Sequence, residues 1–130
     1  MVPVLATIFG QMEGLPDSAE HWARVGAEPR DQAWAKVLRA ADSPNVALKW
    51  AHAGAMFDAG GYPNAKARPY LKQAIAAFGA ERIMWASDYP HSETTWPNSK
   101  ALTDEWFTSF GDDDKDKILW KNCAELFSLI

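Results

Sequence analysis

Three short apolar runs, each leading into a stretch of helical periodicity, limit the fold of this chain more than any other feature. They are "VPVLATIF" (2–9), "VALKWAHA" (46–53) and "RIMWAS" (82–87). The third is nearly all apolar, without in/out alternation, which suits a parallel strand covered on both faces. Between the first two, Asp17 or Ser18 is placed to cap a short helix through about Val25, and Asp31 to cap "DQAWAKVLRAAD". There Trp34, Val37, Leu38 and Ala41 fall at i, i+3, i+4 and i+7, a single buried stripe. Pro69 opens a helix in which Leu71, Ala74, Ile75 and Phe78 repeat the stripe, and Gly79 closes it. Two helices are expected after the Trp-Pro turn. One uses Leu102, Trp106 and Phe110; the other, capped near Asp112, uses Leu119, Cys123, Leu126 and Phe127. Strand and helix in this order predict an α/β fold of right-handed units on a parallel sheet.

Composition narrows the function classes. At 130 residues, 48% hydrophobic and 23% charged, the chain has room for one ordinary domain with its own core. A net charge of −4 without any Lys/Arg cluster argues against a nucleic-acid partner. The single cysteine, Cys123, cannot form an internal disulfide, so a cytoplasmic location is the expectation. "MVPVLATIFG" has no basic leader ahead of its apolar run, and no stretch approaches the roughly 18 apolar residues of a membrane span. Seven tryptophans read as buried anchors, or as the lining of a pocket or association surface.

In parallel β/α folds the chemistry gathers where strands end. Asp88 follows "RIMWAS" directly, and an unpaired buried carboxylate costs free energy, so it either caps the next turn or serves a site. His52 follows the second run and shares that rim; it is structural, binds substrate, or hydrogen-bonds the carboxylate. His91 positions the aspartate or a substrate anion, or caps the next helix, while His21 reads as a surface residue. Lys49 and Trp50 alternate, so one points inward and the other toward the helices. An inward Lys49 is a substrate-anion partner; a snorkelling lysine is the alternative. The acidic run Asp112–Asp114 with Asp116 is explained by charge–dipole capping, and Cys123 by packing. No Walker A loop, dinucleotide fingerprint, cysteine pair or nucleophile elbow is present.

One stretch goes further. "ERIMWASDYPHSETTWPNS" (81–99) resembles the last strand and following loop of the amidohydrolase superfamily, in its amidohydrolase-related branch. That branch contains hydrolases, decarboxylases and lactonases acting on small carboxylated or cyclic substrates. "SPNVALKWAHA" and "RPYLKQAIAAFGAERIMWASD" are similar to its penultimate strand, helix and final strand, and "DKDKILWKNCAELFSL" to its closing helix. The likeness covers about residues 31–130 and is clearest from Arg68 onward.

The resemblance implies a (β/α)8 TIM barrel, usually about 250 residues. This chain, 1–130, is then expected to be one C-terminal fragment of about three β/α units. In the family a His-x-His pair, further histidines and the last-strand aspartate hold a divalent metal, Zn2+ or Mn2+, which brings the pKa of its water near neutrality. The resemblance makes Asp88 a metal ligand and the group that orients that water or moves its proton. No His-x-His occurs here, and a family strand ending in Asp-His-x-Gly is matched by Thr7-Ile8-Phe9-Gly10. Asp88 is thus the one matched ligand. Two readings follow. In one, the chain is part of a metal-dependent hydrolase, decarboxylase or lactonase with a small-molecule substrate. In the other it is a non-catalytic fragment that forms a homo-oligomer or complements an N-terminal barrel chain.

Overall fold

The computed structural model describes residues 4–7, 30–51, 65–87, 101 and 104–129. Strand β1 is Val4–Thr7, helix α1 Arg30–Arg39, β2 Val46–Trp50, helix α2 Arg68–Phe78 and β3 Ile83–Trp85. Helix α3 runs through an α-helical Asp112–Asp116, a π-helical Lys117–Lys121 and an α-helical Asn122–Leu126. Residues 104–106 are also helical.

Among the described residues the strands form one sheet in the order β1-β2-β3, and both pairings are parallel. Parallel neighbours need a crossover, and α2 supplies the one between β2 and β3. This is an arc of a β/α barrel, as expected. Period-two alternation divides β2 cleanly. Val46, Leu48 and Trp50 are buried, whereas Ala47 and Lys49 between them are half-buried. The buried set joins Trp34 and Val37 of α1, Leu71, Ala74 and Phe78 of α2, and Ile83, Trp106, Phe107 and Ile118 in one core.

Tryptophans dominate that core. Ring centroids lie 5.8 Å apart for Tyr70–Trp34, 6.3 Å for Trp34–Trp50 and 6.1 Å for Trp50–Trp106. All three pairs are edge-to-face, the arrangement that brings positive ring edges to negative faces. Trp34 also donates its Nε1–H to Gln73 Oε1 at 2.7 Å, tying α1 to α2.

Two polar side chains fasten the amino ends of the strands. The Arg82 guanidinium donates to the carbonyls of Phe78 (2.9 Å), Ala41 (3.2 Å), Ser43 (3.0 Å) and Val46 (3.3 Å), so one side chain links the starts of β2 and β3. Asn122 of α3, buried, donates through Nδ2 to Ala80 O and Ile83 O, both at 2.7 Å. Between α2 and β3, Gly79 turns the chain at φ +76°, and a Cβ there would collide with the Glu81 carboxylate.

Several sequence expectations shift. Helix α1 starts at Arg30, so Asp31 lies in its first turn, where a carboxylate still favours the helix dipole; its end, Ala40–Asp42, tightens to 3-10 geometry. A 3-10 turn, Ala65–Ala67, precedes α2, leaving Pro69 in the first turn as anticipated. Arg82 belongs to the 3-10 turn Ala80–Arg82, not to β3, because its guanidinium turns back to the carbonyls. Helix α3 presents Ile118 and Asn122 to the core. Leu119, Cys123 and Leu126 are only half-buried and Phe127 is 61% exposed. The Asn122 amide must face β3 to reach its two acceptors, and this turns the expected stripe away. Trp106 is buried and Phe110 half-buried, but the adjacent Phe107 carries the packing as well. The expected helix near Asp17–Val25 and Leu102 lie outside the described residues. Trp34, Trp50 and Trp106 are buried anchors, whereas Trp120 is 50% exposed.

Candidate functional site

The carboxyl ends of the three strands lie side by side. Thr7 pairs with Lys49, Lys49 with Met84, and Trp50 with Trp85. Ala86 N–H then donates to Trp50 O at 3.0 Å, carrying the ladder one residue past β3. Ser87, half-buried, is the last described residue of this strand end.

Lys49 is placed by the β2 alternation. Trp50 is 1% exposed in the helix-side core, so the preceding residue falls on the opposite face. Met84, its register partner on β3, is buried yet does not belong to the helix-side core, which marks a second apolar environment on that face. In a closed barrel this is the interior. Of the two orientations left open by the sequence, the structure selects Lys49 inward and Trp50 outward. Asp88, His52 and His91 lie outside the described residues, as does His21.

A metal centre needs several donors converging on one point. Among the described residues no group of three or more His, Cys, Asp or Glu is arranged to hold a metal ion. These residues by themselves do not fit a divalent ion. Cys123 is a free thiol, half-buried on α3. The acidic start of α3 is engaged with lysines: Lys117 Nζ lies 2.7 Å from Asp113 and 3.8 Å from Asp114, and Lys121 Nζ 3.3 Å from Asp116. Ion pairing engages Asp113, Asp114 and Asp116, and Asp112–Asp114 lie in the first turn of the helix, where carboxylates favour its dipole. No described helix is long and apolar enough to cross a membrane.

Consecutive parallel strands, helices on one face and a lysine-bearing face opposite define a segment of a β/α-barrel protein. The chain belongs to the amidohydrolase family, whose model matches residues 1–129. Its fold is similar to that of an amidohydrolase from Burkholderia multivorans, solved with bound Hepes: TM-score 0.72 at 18% identity, over 98% of this chain and 45% of that one. The same enzyme with bound zinc gives a TM-score of 0.69, over 98% of this chain and 44% of that one, again at 18% identity. A Pseudomonas putida protein assigned as a 2-pyrone-4,6-dicarboxylic acid hydrolase gives 0.64 at 19% identity, over 95% of this chain and 50% of that one. Protein y4mH of Sinorhizobium fredii is 38% identical over 60 residues, 45% of this chain and 20% of its own length. The chain thus spans about half the length of the solved relatives. It is a partial TIM barrel.

Arg82 and Asn122 escaped the sequence reading. The available signals were a cation heading an apolar run and an amide interrupting an apolar helix face.

Proposed function

We propose that this chain contributes the last-strand portion of a metal-assisted hydrolase acting on a small carboxylated or cyclic substrate, such as a lactone. The observation that supports this reading most is the register at the sheet's carboxyl end. Ala86 is hydrogen-bonded to Trp50, and two residues beyond each in sequence stand Asp88 and His52. In sequence, a carboxylate and an imidazole thus follow shortly after the ends of neighbouring strands. A divalent ion, when held, supplies a water acidic enough to react near neutrality. Asp88 is the group of this chain assigned to hold it and to take a proton on a carboxylate oxygen. His52 and His91 are assigned to substrate contacts, and the inward Lys49 to a substrate carboxylate by charge-assisted hydrogen bonding. The zinc-bound relative and the dicarboxylic acid hydrolase support the metal and the carboxylated substrate class. Decarboxylation is the other chemistry that such a site would serve.

The test is hydrolysis of simple lactones and cyclic esters, with metal content measured on the same samples. Asp88→Asn is expected to lower kcat by about 10²- to 10⁴-fold with the circular dichroism unchanged. Full activity and stoichiometric metal in that variant would overturn the proposal.

A second reading is favoured by Trp120, Phe127 and Leu129, which are 50%, 61% and 73% exposed on and just beyond α3. Here the chain is non-catalytic and self-associates, or completes itself with an N-terminal barrel chain. Sedimentation, with and without the barrel half that carries a His-x-His strand, separates the two. Activity gained on mixing favours the enzyme; oligomers without metal favour the second reading.

A further inference from the structure

We propose that Arg82 and Asn122 select the pairing register of β3, which its own side chains leave open. Strand β2 is fixed by its pattern: Val46, Leu48 and Trp50 face the helix-side core, and a one-residue slip would drive Lys49 into it. Strand β3 carries no such marker. Ile83 belongs to the helix-side core with Trp85 packed against it, while Met84 is buried outside that core. A one-residue slip would exchange Ile83 and Trp85 for Met84 and Ala86, and both sets are apolar. The ladder is also short: three paired residues, with the Ala86 N–H bond to Trp50 O beyond them.

Hydrogen bonds have a short, fixed reach and discriminate where apolar contacts do not. The Arg82 guanidinium, one residue before β3, meets Ser43 O at 3.0 Å and Val46 O at 3.3 Å, where β2 begins. Asn122 meets Ala80 O and Ile83 O at 2.7 Å, from a helix anchored in the core by the fully buried Ile118. A one-residue slip moves β3 by about 3.3 Å. Ile83 O then leaves the reach of Asn122, and the Arg82 fork loses its alignment on the carbonyls of the β2 side. A buried amide that fixes alignment between apolar faces acts in the same way in coiled-coil seams. That Asp88, five residues beyond Ile83 in sequence, owes its place to this register rests on the proposed function; the register itself does not.

The experiment is solution NMR of the full chain, reading the pairing of β2 with β3 in Arg82→Gln and in Asn122→Leu, which keeps the volume without the donor. The native pairs are Leu48–Ile83, Lys49–Met84 and Trp50–Trp85. A second set of signals that places Lys49 opposite Ile83 or Trp85 is expected in about a tenth of the molecules or more. Native pairs alone in every folded variant, however far Tm falls, would overturn the proposal, because the two side chains would then only stabilise. If neither variant folds, Arg82→Lys, which keeps the charge but loses the planar fork, decides by the same pairs. On the proposed function, turnover of a lactone should fall in proportion to the slipped fraction with KM unchanged. Slipped pairs with turnover intact count against Asp88 as the reacting carboxylate and leave the register assignment standing, so the two readings fail separately.

Discussion

Arg82 gathers carbonyls from three separate pieces of backbone: the end of α2, the turn after α1 and the first residue of β2. A guanidinium can do this because its donors are fixed in a plane and point outward in a fork. Replacing it with alanine leaves partly buried carbonyls without donors. Arg82→Ala is expected to lower stability by about 2–4 kcal/mol, and Arg82→Lys to recover less than half, since one ammonium cannot span the same acceptors. Asn122→Ala should cost about 2 kcal/mol by removing a buried donor from the carbonyls of Ala80 and Ile83, although Ala80 O keeps the Ile83 N–H. Urea unfolding checks all three, with a moved midpoint and an unchanged slope. The sequence shows these residues but not their duty. Arg82 reads as the first residue of an apolar strand, and only the distant Ala41, Ser43 and Val46 explain it.

At the scale of the element, α3 has a lysine–aspartate ladder along its exposed side. The Lys117 ammonium, hydrogen-bonded to Asp113, holds that carboxyl below its ordinary value of 3.8, and the same bond raises Lys117 above its ordinary 10.5. The signs set a window. Asp113 stabilises the folded helix above the ordinary carboxylate range, and this is lost as pH falls through the lowered value. Lys117 stabilises it below its ordinary value, and this is lost as pH rises through the raised one. Helicity of α3 should therefore be flat through neutrality and decline at both extremes. Asp113→Asn should remove part of the acid limb, and salt near 1 M should mute it, because exposed pairs are screened. Circular dichroism against pH reads the effect. The helix itself was legible from its periodicity. Its rotation was not, because a polar residue at the centre of the buried face breaks the rule that reads faces by hydrophobicity.

The whole molecule is an arc with two outer strands among the described residues, β1 and β3, and one strand paired on both sides. Amides of β2 are expected to exchange with deuterium most slowly, and outward-facing amides of β1 and β3 to exchange orders of magnitude faster. If copies join edge to edge, protection of β1 and β3 will climb with protein concentration, which mass spectrometry can follow. The β/α order was readable because apolar runs and helical stripes are local patterns. The site was readable only in part. Alternation showed that Lys49 and Trp50 face opposite ways, but both faces of a barrel strand are covered, so the choice awaited the burial of Trp50. Asp88, His52 and His91 remain assigned by position and resemblance. A barrel centre draws donors from strands far apart in sequence, so no local stretch can display more than a share of it.

The polar clasps of Arg82 and Asn122 both lie where the strands begin, at the opposite pole from the rim where Trp50 and Trp85 end them. Integrity of the framework is thereby entrusted to one pole. Loops leaving the other pole are at liberty to be rewritten over evolutionary time, exchanging one chemistry for another while the scaffold beneath them goes on folding unchanged.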